Sequence, residues 1–217
     1  MIRPQLTDLQ LKILNLVYRL QVATLHALRT LLDDDGLEEA VTDLESNAYL
    51  SRVRLFDKTW CYQLTERYAL EVDPRSEAHK PLIRSQLTRA YARMQFFVNT
   101  PSREPLAKID FLNTPYAIPG MRHRDYYATD IGIGHFVLDR GRESTWNRLL
   151  LKLTRRVIGR HRKLLAYATL ILQGRFELGV VTAYSSKADR LRTEVNRHKL
   201  FERIPVVVQV VPEILAF

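Results

Sequence analysis

The stretch from Thr7 to Leu64 constrains the fold most, because its apolar spacing changes period partway along. Thr7-Asp8-Leu9-Gln10 has the form of a capping box, in which a threonine and a residue three positions on satisfy each other's backbone N–H groups. The helix it opens carries Leu11, Ile13, Leu14, Val17 and Leu20 near the helical period. A second helix is predicted over 24–32, with Leu25, Leu28 and Leu31 inward, and a third over 37–48, with Leu37, Val41 and Leu44 inward. Two short β-like runs follow, 51–56 and 59–64, joined at Asp57-Lys58, a turn without the usual glycine. Thr65 reads as the cap of a further helical turn.

Three helices followed by a hairpin is the order of a winged helix-turn-helix domain, expected here over 1–73. Its third helix and lead-in are acidic (Asp33, Asp34, Asp35, Glu38, Glu39, Asp43, Glu45) and hold no Lys or Arg. Phosphates repel such a helix. Its Thr42, Ser46 and Asn47 are candidates for base-edge contact, and the hairpin offers Arg52, Arg54 and Lys58 to DNA. Three readings stay open: the hairpin holds DNA, the acidic helix is a protein-binding face, or the acids are a solvated surface.

Asp73-Pro74-Arg75-Ser76 marks a break, since the residue before proline is biased away from helix. Beyond it, over 77–217, the pattern predicts a helix at 80–98 and strands at 107–112, 124–129 and 135–138. A long helix at 144–172 follows, then a strand at 176–183 whose apolar middle suits an internal position in a sheet. Ser185 or Ser186 is placed to cap a helix at 187–199, and the last strand is 206–211. The fold class is therefore mixed, α+β or α/β, and the order matches the core of a PD-(D/E)XK, restriction-endonuclease-like domain. Phe136-Val137-Leu138-Asp139-Arg140-Gly141-Arg142-Glu143-Ser144, a strand running into a long helix, is similar to a segment of the plasmid replication-relaxation family. Leu178-Gly179-Val180-Val181-Thr182 also fits that family. The resemblance implies a winged helix joined to a nuclease-like domain, DNA as partner and a mobile element as context.

A working site of that nuclease type needs one acid on the second strand, then an acid and a lysine on the third, with Mg²⁺ between the carboxylates. Asp125 stands where the first acid belongs, and Asp130 is a further acid nearby. The third strand reads Leu138-Asp139-Arg140, so leucine and a permanently protonated arginine occupy the critical positions. Asp125, Asp139 and Arg140 are the catalytic candidates only if the chain is a divergent Mg²⁺-dependent nuclease; otherwise no cofactor and no metal are expected. Other chemistry finds little support. The histidines lack metal-motif spacing, no P-loop occurs, Gly132-x-Gly134 is too short for a dinucleotide fingerprint, and Cys61 is the sole cysteine. No apolar run of about 18 residues is present, and the N-terminus lacks a secretory apolar core, so a cytoplasmic protein without membrane association is expected.

Charge points to the partner. Residues 1–66 hold seven Lys/Arg against ten Asp/Glu, while 67–217 hold 26 against 14. Within the later part, Arg148, Lys152, Arg155, Arg156, Arg160 and Lys163 recur at helical steps, with no acid between Glu143 and Glu177. Leu150, Leu153, Val157, Leu164 and Ala168 form the opposite, core-facing side. Such a stripe suits phosphate contact. A second basic set, Arg190, Arg192, Arg197, His198 and Lys199, lies on the next helix. The first helix carries apolar residues on more than one face, including Leu9, Leu11, Leu16 and Tyr18, and Tyr91, Phe96 and Phe97 look spare. That excess predicts a homodimer with the first helix near its interface.

Overall fold

The computed structural model describes residues 6–72, 78–118, 121–139 and 146–217. The chain is mixed α/β and divides into two compact units, Met1–Asn99 with Phe217, and Thr100–Ala216.

In the first unit the capping box forms as expected. Gln10 N–H donates to Thr7 Oγ1 at 3.2 Å, and Thr7 N–H donates to Gln10 Oε1 at 2.9 Å. The helix α1 (Asp8–Leu20) buries Ile13, Leu14, Val17 and Leu20 as one stripe. Thr24 caps α2 (Leu25–Leu32) by accepting from Ala27 N–H, and Asp33 ends it in the left-handed region at φ 45°. Helix α3 (Leu37–Ser46) buries Leu37, Ala40, Val41 and Leu44. Strands β1 (Leu50–Phe56) and β2 (Thr59–Leu64) pair antiparallel from Leu50↔Leu64 to Phe56↔Thr59. In the turn Asp57 takes φ 44°, a position glycine fills most easily but aspartate tolerates. Ala23 and Tyr62 exchange backbone hydrogen bonds, tying the α1–α2 connection to the hairpin.

Helices α4 (Glu66–Val72) and α5 (Arg84–Val98) complete this unit. Thr65 precedes α4, but its hydroxyl donates back to the Ala48 and Tyr49 carbonyls. The break near 73–77 is not the boundary between the compact units, which falls after Asn99. The reason is the apolar side of α5. Leu87 and Ala90 pack with Val22 and Cys61, Tyr91 stands edge-on to Phe56 at 5.4 Å, and Met94 Sδ accepts from Thr24 N–H. Tyr91, Phe96 and Phe97 are thus buried and not spare.

The second unit is built on a sheet in the order β3 (Glu104–Pro105), β4 (Tyr126–Ala128), β5 (Ile133–Asp139), β6 (Phe176–Thr182), β7 (Val206–Val210). The first two pairings are antiparallel and the last two parallel, with Val137 opposite Val180 and Gly179 opposite Val207. Every residue of β6 is buried, as its apolar middle predicted. One sheet face presents Ile133, Val137, Phe176, Leu178 and Val180 to Leu149, Leu153, Ile158, Tyr167, Leu170 and Leu191 of the helical connections.

Two expectations fail here. Residues 107–112 are not a strand; Lys108–Leu112 form the short helix α6. Asp110 accepts from Ala107 N–H, which starts the turn locally, and only Phe111 of its apolar residues is buried, stacked on Tyr126. The helix over 144–172 is not continuous. It consists of α7 (Trp146–Leu151), a π-helical segment Lys152–Ile158, α8 (Gly159–His161), a turn, and α9 (Leu165–Leu172). Gly159 N–H bonds to Thr154 O, five residues back, and a Cβ at Gly159 would stand 3.2 Å from that oxygen. Helix α10 (Ser185–Arg197) starts at Ser185, with Tyr184 and not a serine at the cap.

On the other sheet face, Glu177 is 2 % exposed and chelated by Arg103, with Nε–Oε1 at 3.2 Å and Nη2–Oε2 at 2.7 Å. Tyr127 O–H donates to the same carboxylate at 2.8 Å. Gly134 permits this, because a Cβ there would meet the Tyr127 ring at 2.1 Å. Among the described residues, no helix is long and apolar enough to cross a membrane.

Candidate nucleic-acid interface

Antiparallel register decides what the hairpin shows. Arg52 lies opposite Tyr62 and Arg54 opposite Trp60, and directly opposed residues share a face. Arg52, Arg54 and Trp60 are therefore exposed together, with Lys58 exposed at the turn. Part of this charge is engaged locally. Arg52 Nε pairs with Glu45 at 2.9 Å, and Arg54 Nε donates to the Asp57 carbonyl at 2.8 Å. Trp60 is 52 % exposed and escaped the sequence reading. The signal was present: Trp60 and Tyr62 alternate with buried Cys61, which places Trp60 outward.

The acids around α3 have structural uses. Asp33 ends α2, Asp34 Oδ1 accepts from Gly36 N–H at 3.0 Å, Glu38 pairs with Arg29, and Glu45 pairs with Arg52. Glu38 and Glu39 also sit in the first turn of α3, where the helix dipole favours anions. Asp35, Glu39 and Asp43 remain exposed. Thr42, Ser46 and Asn47 are exposed too, although Thr42 Oγ1 donates to Glu38 O and Asn47 Nδ2 donates to Asp43 O.

The basic segment after β5 is sorted by the π turn. Arg155, Arg156, Arg160 and Lys163 are exposed, and no ion pair among the described residues engages them. Arg148 is also exposed, on α7. Lys152 leaves the stripe: it is half-buried, and its Nζ donates to Leu138 O at the end of β5 at 2.8 Å.

Arg156 and Arg160 line a hollow of about 230 Å³ together with Met121, Arg122, Asp125, Tyr126, His135 and His161. His161 and Tyr126 are 2 % and 4 % exposed. His161 Nδ1 lies 2.7 Å from Val157 O, and a carbonyl only accepts, so Nδ1 carries the proton. The neutral ring then accepts at Nε2 from Tyr126 O–H, 2.8 Å away. Burial lowers the His161 pKa, the bond to Val157 O opposes that, and Arg160 adds to the lowering. Burial likewise pushes Tyr126 up to about 12, so its hydroxyl stays protonated. Sequence spacing scattered these histidines; only the fold stacks the His135 and His161 rings 5.1 Å apart.

The acids named for a nuclease site do not meet in one place. Asp125 lies on the 3-10 turn His123–Asp125 and lines the arginine hollow. Asp139 ends β5, and its carboxylate, 1 % exposed, accepts from Thr182 Oγ1 at 3.0 Å and pairs with Lys187 Nζ at 3.1 Å. Tyr126 pairs with His135, so Asp125 falls about 10 Å short of Asp139 along the strand direction. Asp130 is exposed in the β4–β5 turn. Arg140 lies outside the described residues. No group of three His, Cys, Asp or Glu among the described residues is arranged to hold a metal ion. A carboxylate already neutralised by Lys187 does not fit the role of a Mg²⁺ ligand. Comparison with family models, curated proteins and solved structures finds no match for this chain.

Proposed function

We propose that this chain is a non-enzymatic DNA-binding protein. The observation that carries this reading is the exposed group Arg155, Arg156, Arg160 and Lys163, with no ion pair among the described residues and no acid in sequence from Ser144 to Phe176. Counter-ion release from DNA rewards such a surface without reading sequence. The first unit is read as a winged helix-turn-helix, supported by the three helices, the hairpin and the Ala23–Tyr62 bridge. On this reading the hairpin brings Arg54, Lys58 and Trp60 to the duplex. The second unit is read as a basic, restriction-endonuclease-like domain, supported by its antiparallel-then-parallel strand order. The resemblance to the plasmid replication-relaxation family supplies the context: a cytoplasmic accessory factor in plasmid replication or transfer, or a transcription regulator of a mobile element. A homodimer is part of this proposal. A recruitment role for α3 is the second reading, favoured by exposed Asp35, Glu39 and Asp43, and a pull-down without DNA tests it.

The test of the first reading is duplex affinity against salt for the chain with Arg155, Arg156 and Arg160 reversed to Glu. Binding to all sequences weakens, and the slope of log affinity against log salt falls by about 0.9 for each phosphate no longer neutralised. Unchanged affinity in a folded triple variant refutes the reading. Plasmid cutting in Mg²⁺ or Mn²⁺ that Asp125→Ala abolishes replaces it with the nuclease alternative.

A further inference from the structure

We infer that the hollow beside the π turn is a receptor for the terminal phosphomonoester of a DNA strand. This inference rests on the DNA-binding reading above and adds which part of the DNA the second unit takes hold of. Arg122, Arg156 and Arg160 surround the opening, while Tyr126 and His161 form a buried floor. Three guanidinium groups face one carboxylate, Asp125, which leaves a formal excess of two positive charges. His161 adds none, because burial holds its ring neutral.

A backbone phosphodiester carries one negative charge, whereas a phosphomonoester carries about 1.5 to 2 at neutral pH. The excess charge therefore matches the monoester. Shape favours the same ligand. A diester continues into sugar on both sides and needs two exits, while a terminal phosphate enters a floored hollow by one. The floor supplies no competing charge, since the Tyr126 proton is directed at His161 Nε2. Recognition then falls to the guanidiniums, whose planar forks suit phosphate oxygens. Arg155 and Lys163 are exposed on the same segment and are available to the strand that leads away from the end.

The test compares the affinity of the full chain for three duplexes of one sequence, ending in 5′-phosphate, 3′-phosphate or hydroxyl. One phosphorylated end, or both, binds on the order of tenfold tighter than the hydroxyl end, and inorganic phosphate competes the excess away. Which end is preferred identifies the source of the phosphate. Arg122→Ala combined with Arg160→Ala brings the ratio to one. Equal affinity for all three duplexes overturns the inference and leaves the DNA-binding reading standing. Should no duplex bind even at low salt, that reading falls by itself. Chemical shifts of the His161 ring on adding glycerol phosphate then decide the hollow: a saturable shift retains a phosphomonoester site, and none removes it.

Discussion

Removing Arg103 while Glu177 stays in place leaves a carboxylate at 2 % exposure without its cation. Both Arg103 hydrogen bonds, at 3.2 and 2.7 Å, disappear together. Breaking one side of a buried ion pair costs about 3 to 5 kcal/mol, because the surviving charge is stranded away from water. Tyr127 still donates to Glu177, and one hydrogen bond to a charged group is worth about 1.5 to 3 kcal/mol, which keeps the loss near the lower bound. Burial first, then Glu177, holds the Tyr127 pKa well above its ordinary value, so that donor survives throughout the neutral range. The expected cost of Arg103→Ala is therefore about 3 kcal/mol, a large share of the roughly 5 to 15 kcal/mol typical of a domain. Replacing both partners, Arg103→Met with Glu177→Leu, removes the stranded charge and is expected to cost less than the single change. Urea unfolding followed by far-UV circular dichroism at neutral pH measures both. The two compact units call for separate fits of any resolved transitions. A single variant within about 1 kcal/mol of the parent, or a double variant less stable than the single, refutes the assignment of this pair as a buried, mutually dependent unit.

Three further outcomes are expected. Gly134→Ala drives a methyl into the Tyr127 ring and costs about 1 to 3 kcal/mol by the same urea assay, and a variant as stable as the parent would show that the ring moves aside freely. The His161 pKa lies below the ordinary imidazole value of 6.5, so the unfolded chain binds its proton first. The stability it contributes is complete above that value and is lost as pH falls; a ring titration by NMR showing His161 protonated at or above 6.5 contradicts this. Leu11, 37 % exposed on α1, is the position at which Leu→Glu is expected to convert a dimer to monomer in light scattering, and a parent chain that is strictly monomeric at micromolar concentration removes the dimer from the proposal.

What could be read from sequence follows the range of the forces involved. The Thr7–Gln10 box, the Thr24 cap and the Asp57 turn are local, so a handful of neighbouring residues carries their whole cause. Strand β6 was recognisable because burial on both faces writes itself as an unbroken apolar run. Helix α6 was misread because Ile109 and Leu112 are exposed, so their spacing reports no buried face. The unit boundary was misplaced because α5 owes its allegiance to contacts with Phe56, Val22 and Thr24, far away in sequence. Lys152 kept step with the arginines on an ideal helix, yet its ammonium serves Leu138 O. The arginine hollow was half visible: Arg156 and Arg160 stood in the stripe, but Arg122, Asp125 and the paired rings reach them only through the sheet.

The π turn also sets a rule for how this chain can vary in length. One residue more than an α-helix needs is stored between Lys152 and Ile158, and deleting any one of them would let the helix heal as an ordinary α-helix. The helix would survive, but all that follows in it would be set back by one step, a rotation of about 100°. His161 would swing away from Tyr126, and Arg160 away from the hollow, while composition and net apolar content stayed nearly the same. A deletion there is thus silent to secondary structure and ruinous to geometry, whereas the β4–β5 turn, exposed at Asp130 and Ile131, has no such phase to keep. Shortened variants of this chain that still fold but no longer bind phosphate are expected to carry their deletion inside the segment Lys152–Ile158.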